Sequence, residues 1–229
     1  MSIIFNRLKA HALELEKVLS SRAFLLPETN TYNWTNQVYS SALARRMHLD
    51  IIDATETKKL WMMHLCVFPH TFDGAPIFGF DLVAGPNKVT GAFLDFSPIH
   101  PEHKFNKYFS DKVSGYEWSK PRALPDWAKK IFSSSMVAAG NINSEFELVE
   151  ILDLSKELLV YYLENIMQSR PPKSYDDLVR EYNYTKQQNF YCQQQKQNPH
   201  TPKVLQALGF TEDMVHDFIH KDLFPELVE

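Results

Sequence analysis

Apolar residues along this chain follow two rhythms. Near the start, Leu8, Ala12, Leu15 and Leu19 recur at helical spacing and predict one face of an amphipathic helix. From about Leu43 to Pro98 the texture changes to short apolar runs broken by Asp/Thr, Pro/Gly and Gly-Pro-Asn, the punctuation of an antiparallel sheet. At least four strands are predicted, Ala44 to Asp53, Leu60 to Phe68, Pro76 to Ala84 and Lys88 to Phe96, with Gly85-Pro86-Asn87 turning the chain between the last pair. Pro98, Pro101, Pro121 and Pro125 then spread through a polar stretch that reads as long loops, packed back on the body by Trp118 and Trp127. Val149 to Met167 has the broad apolar face of a helix that covers a sheet. Pro171-Pro172 should end it, and Ser174 with Asp177 predicts an N-cap for a helix from Tyr175 to about Gln197. Beyond the break at Asn198-Pro199-His200-Thr201-Pro202, two short helices are expected, the second capped by Thr211. Helices before and after an antiparallel meander, with no repeat and no linker, predict a single α+β domain over 1–229.

Composition narrows the classes. Hydrophobic residues at 44% and charged residues at 23% of 229 residues can build one sizeable core. A net charge of -4 gives no electrostatic motive for binding nucleic acid. The start, Met1 to Lys9, becomes charged before any signal-length apolar stretch develops, and no run approaches a membrane span. With two cysteines, Cys66 and Cys192, in no CxxC arrangement, a soluble protein of the reducing cytoplasm is expected. Aromatic residues at 13% suit a pocket for a large conjugated ligand.

Familiar cofactor motifs are missing from the sequence. It has no GxGxxG and no GxxxxGK[ST], so a redox activity would have to borrow its electrons. The His and Cys residues lack metal-ligand spacing, and no metal is expected. Ser97 stands in no nucleophile elbow, which leaves acyl transfer unsupported. The polar residues of the meander are more informative. His48 and Asp50 alternate with Met47, Leu49 and Ile51, which places both on one face of the first strand. His64 and Asp81 lie within the apolar runs of the next two strands, where an ionisable group is costly unless paired or used. Any one of these alone reads as a satisfied core histidine or a solvent-facing carboxylate. If the strands pair in sequence order, His48, Asp50, His64 and Asp81 can share one face as a cluster of proton donors and acceptors on a rigid floor.

The same segments carry a resemblance. Met47-His48-Leu49-Asp50, His64-Leu65-Cys66-Val67-Phe68-Pro69, the run Pro76 to Pro86, Asp95-Phe96-Ser97-Pro98, Arg122-Ala123-Leu124-Pro125-Asp126-Trp127 and Tyr191 to Lys196 with Asn198 resemble the ferredoxin-dependent bilin reductases, nearest their phycocyanobilin-forming branch. The resemblance implies a three-layer α/β/α sandwich with a central antiparallel sheet, the substrate biliverdin IXα lying between the sheet and the C-terminal helices. It implies an enzyme with no cofactor of its own, supplied with electrons by a [2Fe-2S] ferredoxin that docks transiently on a monomer, with Lys88, Lys196 and Lys203 as candidate docking residues. By the same likeness Asp81 is the central proton donor, His64 faces it across the bilin, and His48 supports His64 partly through water. Thr90 replaces a propionate-binding Ser, Arg122 matches a propionate-binding Arg, Asn198 is shared with the branch, and His200 replaces a propionate-binding Lys. Asp50 stands where phycocyanobilin-forming members carry a Glu, and Pro199 where many carry a second functional Asp. Those departures resemble a small phage-associated branch and point to phycoerythrobilin, formed via 15,16-dihydrobiliverdin. Phycocyanobilin as product, or a bilin carrier without catalysis, are the alternatives.

Overall fold

The alternation along the central strands decides the architecture of the computed structural model, which describes residues 2–27, 32, 34–168, 172 and 174–228. Strands β1 (Phe24–Leu25), β2 (Thr35–Ser40), β3 (Ala44–Ala54), β4 (Leu60–Pro69), β5 (Ile77–Gly85), β6 (Lys88–Ser97) and β7 (Val137–Ala139) form one seven-stranded antiparallel sheet in sequence order. The expected meander is its centre. Strands β1, β2 and β7 extend it on both sides and were not anticipated.

Period-two geometry sends the residues of each strand to opposite faces. Met47, Leu49, Met63, Leu65, Val67, Phe78, Phe80, Leu82, Leu94 and Phe96 belong to the larger core. Helices α1 (Ile3–Ser20), α2 (Lys104–Val113) and α4 (Glu145–Asn165) cover that face, burying Leu8, Leu15, Phe105, Phe109, Leu158 and Tyr162 in the same core. The opposite face carries Ile52, Cys66, Phe68 and Ile77 in a second core. It lies beneath Tyr191, Cys192, Leu205 and Phe218 of the C-terminal helices. Those helices are α5 (Tyr175–Gln195), α6 (His200–Ala207) and α7 (Glu212–Asp217), the last running on as a π-helical turn, Phe218–Leu223. The result is the expected α/β/α sandwich.

The stretch expected to be long loops contains α2 and the short α3 (Asp126–Lys129). Helix α2 is opened by the His103 ring, which accepts a hydrogen bond from the Phe105 amide, and its apolar positions Phe105, Phe109 and Val113 are buried. Helix α4 starts earlier than expected, because the Ser144 hydroxyl accepts from the Glu147 amide in a capping turn. It ends at Asn165, and Pro171, expected to stop it, lies outside the described residues. The Ser174 cap on Asp177 and the Thr211 cap on Met214 form as the sequence suggests. Among the described residues no helix is long and apolar enough to cross a membrane.

Candidate active site

Three central strands bring the ionisable residues into one row. Asp50 pairs with His64 across β3 and β4, and His64 pairs with Asp81 across β4 and β5, so all three rise from the C-terminal-helix face. Phe93 continues the row on β6. Residues directly opposite in an antiparallel pair have Cβ atoms about 5 Å apart, which places each side chain within reach of the next. Above the row is a cavity of about 450 Å³. Asp50, His64, Asp81, Thr90, Arg122, Asn198 and His200 all line it, so seven of the eight expected site residues meet in one space. The eighth, His48, is fully buried beside it with its ring 5.7 Å from that of His64.

His64 and Asp81 do not face one another across an open slot, as the resemblance implied. The register sets them side by side, with His64 Nδ1 2.6 Å from Asp81 Oδ1. Burial alone would depress the His64 pKa, but the charge and hydrogen bond of Asp81 outweigh it and push it up to about 10. At neutral pH His64 is therefore an imidazolium held against a carboxylate. His48 goes the other way, its pKa well below the usual value because of burial, the His64 charge and Arg46. As a neutral ring with Nε2 protonated, it donates to Asn36 Oδ1 and keeps Nδ1 as an acceptor. His48 Nδ1 and His64 Nε2 both lack hydrogen-bond partners among the described residues. One is an acceptor and the other a donor, a complementary pair that a water can join. Asp50 is also buried, which raises its pKa to about 7 despite the nearby His64 charge and a hydrogen bond from Trp34 Nε1.

These charge states can be tested. A folded pKa above the usual 6.5 means that the His64 contribution to stability is complete below pH 6.5 and is lost as pH rises through about 10. Nitrogen-15 NMR of the imidazoles at pH 7.5 should find His64 doubly protonated in the wild type. In Asp81→Asn it should be neutral, since the carboxylate that opposes burial is gone. The same protonation pattern in both proteins would remove Asp81 as the cause.

At the mouth, Arg122 lies over Phe93 at 5.9 Å and donates from Nη2 to the Thr90 carbonyl. A Cβ on Gly140 would come within 2.3 Å of Arg122 Nε, so the guanidinium stays in place only because that position is glycine. Its remaining N–H groups suit a carboxylate. If Arg122 binds a propionate, as the resemblance implies, Arg122→Ala weakens biliverdin binding by about 10- to 100-fold while leaving product identity largely intact. An unchanged Kd in a spectral titration would count against the anchor. The other rim residues have local duties: Thr90 Oγ1 donates to Val83 O, and Asn198 Oδ1 accepts from the His200 amide at the start of α6. Lys196, expected at a docking surface, is spent on the fold. It is 12% exposed and 2.5 Å from Glu226, whereas Lys88 and Lys203 are exposed.

Sequence reasoning missed the roof and the end wall. Phe224 meets the His64 ring edge-on at 5.6 Å, and Gln195, fixed by its bond to the Tyr191 hydroxyl, lines the cavity. Trp34 holds Asp50 from β2's leading end. A neighbouring cavity of about 640 Å³ shares Arg122, Leu124, Phe132 and Met136 but has no acid or histidine in its wall. Among the described residues no group of three or more His, Cys, Asp or Glu side chains is arranged to hold a metal.

Comparison with known proteins identifies the family. The family model for ferredoxin-dependent bilin reductase matches residues 4–225. A phycocyanobilin:ferredoxin oxidoreductase of Prochlorococcus marinus is 30% identical over 194 residues, covering 82% of this chain and 74% of the relative. One from Trichodesmium erythraeum is 28% identical over 75% of this chain and 68% of its own. The solved structure of a protein named PcyX superposes with a TM-score of 0.68 at 28% identity, over 96% of this chain and 99% of that one. Tomato phytochromobilin synthase, solved in complex with biliverdin, shares the fold with a TM-score of 0.71 at 16% identity, over 96% of this chain and 82% of that one. The family match runs over nearly the whole chain, and the relatives it resembles are named as oxidoreductases: the chain is a member of the ferredoxin-dependent bilin reductases.

Proposed function

We propose that this enzyme reduces biliverdin IXα to phycoerythrobilin, via 15,16-dihydrobiliverdin, with electrons from reduced [2Fe-2S] ferredoxin. The observation that carries this reading is the row Asp50, His64, Asp81 beneath one cavity with Arg122 at its mouth. Ferredoxin delivers electrons singly, so the bilin passes through radicals, and each added electron makes the tetrapyrrole more basic. Electrons and protons are consumed in equal number. Asp81 is the group that hands a proton to the reduced bilin, and His64 is its reservoir. Their 2.6 Å hydrogen bond lets the imidazolium proton move to the carboxylate as charge builds on the ligand. His48, neutral and anchored by Asn36, orients His64 and accepts from it through water. The aromatic roof, with Phe224 over His64, excludes water and oxygen from the radical stage.

Arg122 anchors a propionate, with Thr90, Asn198 and His200 along the same rim. Lys88 and Lys203 remain for ferredoxin, itself an acidic protein in its usual form. Phycocyanobilin is the second reading for the product, and the name carried by the curated relatives favours it. Asp50 and Pro199 favour phycoerythrobilin, because both depart from the phycocyanobilin-forming pattern. Anaerobic incubation with biliverdin, ferredoxin and a ferredoxin-reducing system, followed by chromatography against bilin standards, decides between them. Phycoerythrobilin is expected, phycocyanobilin would overturn the product assignment, and unreacted biliverdin would overturn the substrate.

A further inference from the structure

Asp50 is gripped from outside the row. Trp34 Nε1 donates to Asp50 Oδ1, and the indole is itself confined. It stacks on Tyr32 at 4.7 Å and 7°, meets Phe218 edge-on at 5.4 Å, and lies at 4.6 Å from Phe210. Tyr32 in turn donates its hydroxyl to Asp222 Oδ2 at 3.0 Å. The indole is thus wedged among residues from the entry to β2, the loop before α7 and the π-helical turn. Asp50 is fixed just as firmly by its register between Asn36 and His64. The packed indole and the strand register together hold Trp34 Nε1 in place to donate to Asp50 Oδ1.

An indole N–H can only donate. Oδ1 must therefore stay an acceptor in both charge states, so any proton on Asp50 sits on Oδ2. Oδ2 has no hydrogen-bond partner among the described residues, and Asp50 lines the cavity. We propose that Trp34 is a positioning residue for Asp50: by occupying Oδ1 it holds the carboxyl group back from the ligand, leaves Oδ2 as the one oxygen that can carry a proton, and favours the ionised form. Burial acts against ionisation, as do the Asp222 and Asp81 carboxylates, while the His64 imidazolium and Trp34 support it. The Tyr32 hydroxyl completes the groups around Asp50. The Trp34 bond is thus one of two contacts that favour ionisation, beside the larger effect of the His64 charge. This positioning is a property of the free protein; its consequence for the product rests on the function proposed above.

The test uses ligand-free, full-length protein carrying carbon-13 in its Asp side chains, with the Asp50 signal assigned by its loss in Asp50→Asn. Two replacements remove the N–H: Trp34→Phe, and benzothienylalanine at position 34, which keeps the bicyclic shape with sulfur in place of nitrogen. Both should raise the Asp50 titration midpoint by about one pH unit or more. A midpoint unmoved by the benzothienyl isostere would overturn the inference, and so would a rise confined to Trp34→Phe, which would assign the effect to ring shape. The same variants, given biliverdin and reduced ferredoxin, should make more D-ring-reduced product, because a released and more often protonated carboxyl group can turn to the ligand. A shifted midpoint with an unchanged product supports the role of Trp34 and removes Asp50 from the choice of product, so the two readings fail separately.

Discussion

Asp81→Asn is expected to bind biliverdin and then stall, with turnover reduced by about 10²- to 10⁴-fold, the usual worth of a positioned general acid. Asn preserves the size of the side chain and its place between His64 and Phe93, so the cavity should keep its shape. What it cannot do is receive the His64 proton on oxygen and pass it on. The loss is twofold, because His64 also owes its charged state to the Asp81 carboxylate. Under anaerobic, reducing conditions a bilin radical should therefore accumulate, visible by absorbance and electron paramagnetic resonance. A normal yield of reduced bilin from this variant would take Asp81 out of the proton path, whatever its hydrogen bonds.

Asp50→Glu should change the product rather than the rate. The resemblance puts a Glu here in enzymes that protonate the vinyl group of the outer D ring. Asp is shorter by one carbon–carbon bond, about 1.5 Å, comparable to the slack in a hydrogen bond. In this protein the carboxyl group is also only 5% exposed and tied to Trp34, so it has little freedom to make up the distance. With that acid withdrawn, the proposed reduction is directed by Asp81 and His64 to the C15 bridge and the A ring. Lengthening the side chain should divert at least part of the product toward D-ring reduction, measured by chromatography. An unaltered product ratio would pass the decision to Pro199, exposed at the head of α6, or to the pocket's shape.

The central sheet was legible because its residues obey two local rules. Apolar positions alternate along β3 to β6, and Pro86-Asn87 closes the hairpin of β5 and β6 where Gly85 pairs with Lys88. Once those strands pair in order, parity alone puts His48, Asp50, His64 and Asp81 on one face. Strand β7 escaped because it is only three residues long, and β2 because Thr35–Ser40 is mostly polar, with Val38 and Tyr39 its apolar positions. Helix α2 escaped for another reason. The prolines around it read as loop, and its cap is a histidine rather than the Ser, Thr, Asp or Asn that usually announces a helix. Its spacing of Phe105, Phe109 and Val113 was the signal available.

Side-by-side placement of His64 and Asp81 follows from register, which sequence order allowed but could not fix to the residue. Trp34 and Phe224 could not be found from pattern at all. Each reaches the site through a contact between segments distant in sequence. Phe224 depends on a tail strapped along α5, where Asn189 exchanges two hydrogen bonds with Leu227 and Glu226 takes Gln193 and Lys196. That strap is also why Lys196 is unavailable to a partner. The sequence shows a lysine close to Asn198 and His200, and only the fold shows that it already holds Glu226.

Everything proposed for this enzyme depends on the row Asp50, His64, Asp81 being the floor on which the bilin is protonated. A crystal structure of the enzyme with biliverdin bound would put that to the proof. The tetrapyrrole should lie flat in the cavity between the sheet and Phe224, its propionates at Arg122 and its ring nitrogens and lactam oxygens within hydrogen-bond reach of Asp81 and His64. Biliverdin seated in the neighbouring cavity beside Trp118 and Lys129, or lying over the row with its polar edge turned away from Asp81 and His64, would contradict it.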